Sequence, residues 1–126
     1  MHNTVSSRQL KAGELIKRTL AEIFYAGKIF DKDLINTSVT ITEVRISPDL
    51  KIAKIYVFPL GGSLDRNVFM DSLQKLSFNL RLMLTKKINL KYSPQLSFVF
   101  DDSFDIASVF RIDDKLRTDN EKARVF

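Results

Sequence analysis

"VTITEVRISPDLKIAKIYVFPLGG", residues 39–62, reads as two strands joined by a tight turn. In its first half Val39, Ile41, Val44 and Ile46 are interspersed with Thr and charged residues; the alternation is imperfect, but β-branched residues run throughout. In its second half Ala53, Ile55 and Val57 fall on one side, and Lys54, Tyr56 and Phe58 on the other, as the two-residue period of a strand requires. Between them lies "SPDL", in which Pro48 fixes φ at the first central position of a turn and Ser47 and Asp49 can bond nearby backbone groups. The stretch is therefore expected to form an antiparallel hairpin that Gly61 and Gly62 end. Pro59 has no N–H to give a ladder, so it marks either an edge position or the close of the strand.

Working outward, the period changes on both sides. Upstream, Ser6 and Gln9 have the spacing of a capping box, and apolar or small residues follow at Ala12, Leu15, Ile16, Leu20, Ile23, Phe24 and Gly27. This predicts a helix of about 22 residues, roughly 33 Å long. Lys11 and Arg18 share its opposite face with Glu14 and Glu22, so that face is mixed in sign. Downstream, Phe69, Leu73, Leu76, Leu80, Leu84 and Ile88 recur every three or four residues and form the apolar stripe of a second amphipathic helix. Pro94 ends that segment, and "QLSFVFD" follows as a third strand with Leu96, Phe98 and Phe100 on one side.

The charge distribution is the strongest functional signal. Net charge is +3 over residues 1–30, −1 over 31–71, +5 over 72–100 and −2 over 101–126, which together make the chain's +5. Residues 72–100 contain no carboxylate, so Lys75, Arg81, Lys86 and Lys87, which lie mainly off the apolar stripe, have no acid three or four positions away within that segment. A basic block between neutral and acidic ones suits a polyanion, because Lys and Arg set against phosphates displace condensed counterions. The alternative is a solvated helix face. With 126 residues, 44% of them hydrophobic, one domain has core material enough, and with no cysteine it must be held by packing alone. No apolar run approaches the roughly 20 residues of a membrane span, and a soluble cytoplasmic monomer is expected.

The order helix, strand, strand, helix, strand defines an α+β domain: a three-stranded sheet with helices on one face, with a possible kink splitting the second helical region. That is the order of a type II KH-like domain, an RNA-binding architecture. Three segments then carry a closer likeness. The hairpin at 39–62 resembles that of the ribosome-binding factor A family, "LKYSPQLSFVFDDS" at 90–103 resembles its closing strand, and "SSRQLKAGELIKRTLAEIF" at 6–24 resembles its opening helix. The likeness covers residues 5–112, read as the KH-like ribosome-binding domain, and leaves 113–126, "DDKLRTDNEKARVF", as a mobile charged tail.

The resemblance implies a non-enzymatic role in ribosome biogenesis. It implies binding to the free or immature bacterial 30S subunit and its 16S rRNA, and help with late maturation near the 5′ end, including in the cold. No cofactor and no metal are implied. The residues expected to position rRNA are Arg8, Lys11, Lys17, Arg18, Lys75, Ser77, Arg81, Lys86, Lys87 and Lys91. One departure bears on the geometry: the family carries an Ala-x-Gly kink where this chain has Leu76, Ser77 and Phe78, with no Gly or Pro between Ser63 and Pro94. Either the kink forms without glycine, with Ser77, or the two helices merge into one.

Two other functions stand beside this one. A general single-stranded RNA-binding KH module would use the same cations. A metal-assisted RNA-processing enzyme would use Asp101, Asp102 and Asp105, although "DDSFD" reads better as a strand-ending turn. His2, the only histidine, sits at the terminus and is read as a spectator. Phe98 and Phe100 fit core alternation, and packing is the preferred role for Tyr56, Phe58 and Tyr92.

Overall fold

Residues 39–62 form the expected antiparallel hairpin, β1 (Ser38–Ile46) paired with β2 (Ile52–Leu60). The computed structural model describes residues 5–26, 33–34, 37–61, 64–89 and 93–103. Its remaining elements are α1 (Ser7–Tyr25) before the hairpin, then α2 (Arg66–Lys87) and β3 (Gln95–Phe100) after it.

The imperfect alternation of β1 has a structural cause. Ile41 pairs with Val57, but the next partner of Tyr56 is Glu43, so Thr42 is an extra residue in the strand, a β-bulge. The bulge restores the inward row: Ile41 and Val44, three apart, both align with the buried row Val57 and Ile55 of β2. Thr42 is not idle, since its hydroxyl lies against the Tyr56 carbonyl and the Asp101 carboxylate.

"SPDL" turns the chain as its residues require. Leu50 N–H donates to the Ser47 carbonyl at 2.8 Å, and Asp49 Oδ1 accepts from Ser47 Oγ at 2.6 Å and Lys51 N–H at 3.0 Å. These bonds favour the ionised form and hold the Asp49 carboxyl below its ordinary range, the Ser47 hydroxyl contributing most. Leu50 has φ 62°, a left-handed conformation that costs a branched residue about 1–2 kcal/mol, and its side chain packs against the core in return.

β3 lies beside β2 and parallel to it, giving the order β1-β2-β3. A parallel neighbour requires a crossover, and α2 is that crossover. β2 is therefore the central strand, and of the two readings of Pro59 the close of the strand is the right one. Val57 C=O accepts from Asp101 N–H, so the odd-numbered residues of β2 aim their backbone groups at β3. Pro59 is next in that row, but pairing with β3 has already ended at Phe100, and no ladder bond is lost.

The capping box at the start of α1 is formed on both sides: Ser6 N–H donates to Gln9 Oε1 at 2.9 Å and Gln9 N–H to Ser6 Oγ at 3.2 Å. Gln9 then reaches further, donating from Nε2 to the Ile46 carbonyl at 2.9 Å, so the cap also ties α1 to the end of β1. The helix runs 19 residues and is capped at Ala26, three short of the expected length. Gly13 is buried where α1 crosses β1; a Cβ there would sit 3.0 Å from the Val44 carbonyl oxygen.

α2 is one uninterrupted helix of 22 residues, so the segment at Leu76–Phe78 merges rather than kinks. Asp65 caps it, accepting from Asn67 N–H at 2.9 Å, and Ile88 closes it in extended conformation with its side chain buried. Both helices cover one side of the sheet, α1 over β1 and α2 over β3. Between the layers lies one core built from Ile16, Leu20 and Ile23 of α1, Phe69, Leu73, Leu80 and Leu84 of α2, and the inward rows of the strands.

Candidate nucleic-acid interface

Because α1 and α2 lie side by side on one face of the sheet, the sides of both helices opposite the core look away from it together. On α1 that outer side carries Lys11 and Arg18, with Arg8 exposed toward its start and Lys17 half-buried on its flank. Glu14 and Glu22 are exposed on the same side, as the spacing predicts. No ion pair joins these cations to any acid among the described residues; the two ion pairs found there are Arg45–Glu43 at 3.1 Å and Arg66–Asp102 at 3.0 Å.

On α2 the expected cations separate into groups. At about 100° per residue, Arg81 and Lys86 are about 140° apart around the axis and Lys86 and Lys87 about 100° apart, so these three do not share a face. Arg81 is half-buried and turned toward the start of β3: its guanidinium donates to the Ser93 carbonyl at 2.8 Å. Thr85, one turn on, holds the same residue through a 2.6 Å bond to Ser93 Oγ. Arg81 is thus engaged in tying α2 to β3. Ser77 is half-buried, and its hydroxyl donates back to the Gln74 carbonyl at 2.8 Å, so its proton is used within the helix.

Lys86 and Lys87 are exposed in the last turn, where a cation also stabilises the helix dipole by about 0.3–1 kcal/mol. Lys91 lies outside the described residues. What α2 does bring together is Lys75, Phe78, Leu82 and Lys86, spaced three, four and four apart along the ridge opposite Phe69 and Leu80. Phe78 is 66% exposed and Leu82 47%, the two largest apolar exposures on this helix. Asp71 opens the same ridge but forms no ion pair with Lys75. Phe78 and Leu82 were not among the expected contacts. Counting turns from Phe69 would have placed both opposite the buried stripe.

The acidic turn has partners within the chain. Asp101 Oδ1 accepts from Ser103 N–H at 3.0 Å and Ser103 Oγ at 2.6 Å, and Asp102 pairs with Arg66. Arg66 in turn stacks on the Phe100 ring at 4.2 Å. No cluster of three or more potential metal ligands occurs among the described residues, and Asp105 and His2 lie outside them. Phe58 packs its ring against Phe100 at 5.4 Å, and Arg45 covers Tyr56 at 5.3 Å, which are packing roles; Tyr92 lies outside the described residues. No described helix is long and apolar enough to cross a membrane.

Fold and surface together define a class: a small α+β protein, consistent with a KH-like domain, whose helical layer presents cations that form no ion pair with any acid among the described residues. The chain belongs to the ribosome-binding factor A family, whose model matches residues 8–117. That match runs five residues past the likeness read from the sequence at 5–112. Ribosome-binding factor A of Paracoccus denitrificans is 46% identical over 112 residues, covering 89% of this chain and 77% of that protein. The crystal structure of ribosome-binding factor A from Thermus thermophilus shares the fold, with a TM-score of 0.59 at 23% identity over 72% of this chain and 93% of that one. A homology model of the Thermus thermophilus factor, fitted into the electron cryomicroscopy map of a complex of the 30S with ribosome-binding factor A, gives a TM-score of 0.58 at 23% identity, covering 73% of this chain and 93% of that one.

Proposed function

We propose that this chain is a ribosome-biogenesis factor that binds the free or immature 30S subunit through the 16S rRNA backbone. In this reading it assists late maturation of that RNA at its 5′ end, including at low temperature, and does so without catalysis of its own. One observation carries the physical part: Arg8, Lys11, Arg18, Lys75, Lys86 and Lys87 are exposed on the helical layer and none is paired with an acid among the described residues. Lys17, Arg81, Ser77 and Lys91 are secondary contacts in the same proposal. Membership of the family and the complex of the 30S with ribosome-binding factor A support the choice of partner. Maturation of the 5′ end and the cold role rest on the family resemblance.

The unbroken α2 lacks the glycine loop of a general single-stranded RNA-binding KH module as well as the family's Ala-x-Gly kink, so the preference for this reading rests on family membership. Such modules clamp the strand with a glycine loop between two helices, where backbone approaches nucleic acid closely. Here Phe78 stands inside a continuous helix instead. Co-sedimentation of the purified chain with free small subunits, whole ribosomes and short single-stranded RNA separates the two. Co-migration with free small subunits is expected, and tighter binding to the short strands would overturn the assignment.

A further inference from the structure

Among the described residues, Phe78 is not part of the core or of the side chains packed against it. It lies opposite Phe69, Leu73 and Leu80, the residues that seat α2 on the sheet, and two-thirds of its surface meets solvent. Helix propensity does not call for it either, since aromatic side chains lose χ1 freedom against the preceding turn. Its neighbours along the ridge are Lys75 one turn before, Leu82 one turn after and Lys86 a further turn on, spanning about 16 Å along the axis.

Resting on the reading that the chain binds rRNA, we propose that Phe78 is a stacking platform for an unpaired nucleobase of that RNA. Leu82 extends the apolar seat, and Lys75 and Lys86 hold the phosphates on either side. Charge complementarity selects this occupant: Lys75 and Lys86 flank Phe78 and Leu82, no acid lies between residues 72 and 100, and Asp71, a turn before Lys75 on the ridge, forms no ion pair with it. Size agrees. One ring and one leucine match a single base, whereas a stable protein partner takes about 800 Å² from each side. Base–aromatic stacking tolerates any base, which suits a factor that reads the form of a folded RNA.

The chain contains no tryptophan, so Phe78→Trp installs a single fluorescent reporter at the platform. Titrated with free small subunits, with binding followed separately by co-sedimentation, its emission is expected to fall about two-fold or more as the indole stacks. Unchanged emission at saturation, or a blue-shifted gain from burial in an apolar protein pocket, overturns the stacking role while leaving the backbone contacts standing. Failure of the unsubstituted chain to co-sediment overturns both. A second pair of variants removes dependence on the probe. Phe78→Leu keeps apolar bulk without a flat ring and is expected to weaken binding about 5- to 150-fold, whereas Phe78→Tyr keeps the ring and most of the affinity. Equal binding by the Leu and Tyr variants also overturns the proposal.

Discussion

Gln9 shows how much a single side chain can be asked to do. Its Oε1 accepts the Ser6 N–H within the capping box, and its Nε2 donates to the Ile46 carbonyl at the far end of β1. Glutamate is the usual alternative at this capping position, but it has no donor for Ile46 and would set a carboxylate against a half-buried carbonyl. Gln9→Glu is therefore expected to destabilise the fold by about 1–3 kcal/mol, read as a lower urea midpoint; an unchanged midpoint would mean the Ile46 bond contributes nothing. The local half of this arrangement was legible in the sequence, because Ser6 and Gln9 are three apart. The other half was not, since Ile46 is 37 residues away and only the packing of α1 on β1 brings it close. Arg81 follows the same logic. Its charge was readable, but its bond to Ser93 depends on where β3 begins.

Among the elements, the junction of α1 with β1 brings helix and strand backbones close together. Gly13 lets the helix backbone approach the strand, and a Cβ there meets the Val44 carbonyl oxygen at 3.0 Å and Ile46 Cγ1 at 3.7 Å. Alanine is the better helix former by about 1 kcal/mol, yet the obstacle is backbone and cannot swing aside. Gly13→Ala is thus expected to cost about 1–3 kcal/mol net as the helix is pushed off the sheet. A raised melting temperature would show that α1 shifts freely. The hairpin, both helices and the third strand were legible as elements because each carries its own period. The bulge at Thr42 was visible only as a flaw in the alternation. The parallel placement of β3 was not visible, since pairing partners are set by the crossover. Whether residues 76–78 kink or continue was left open by sequence, as the absence of glycine permits both.

For the whole molecule, what matters is where charge is left uncompensated. Among the described residues, the sheet and helices place the acid-free segment 72–100 partly in the core and partly on the outer ridge of α2, in the same helical layer as α1. The excess of positive charge was legible from counting residues, but its division was not. Helical geometry sends Arg81, Lys86 and Lys87 to different sides and gathers Lys75 and Lys86 with Phe78 and Leu82 instead. Lys54 supplies a control, because it is exposed on β2 in the row opposite the buried Ala53, Ile55 and Val57, away from both helices. The most direct test is the affinity of the full chain for free small subunits across a series of salt concentrations, for the unsubstituted protein, Lys75→Ala/Lys86→Ala and Lys54→Ala. Weaker binding by the double variant is expected, with the slope of log affinity against log salt shallower by about 0.7–0.9 for each phosphate no longer neutralised, while Lys54→Ala leaves both unchanged. A double variant with the affinity and slope of the original chain would contradict the claim that the helical layer holds the RNA.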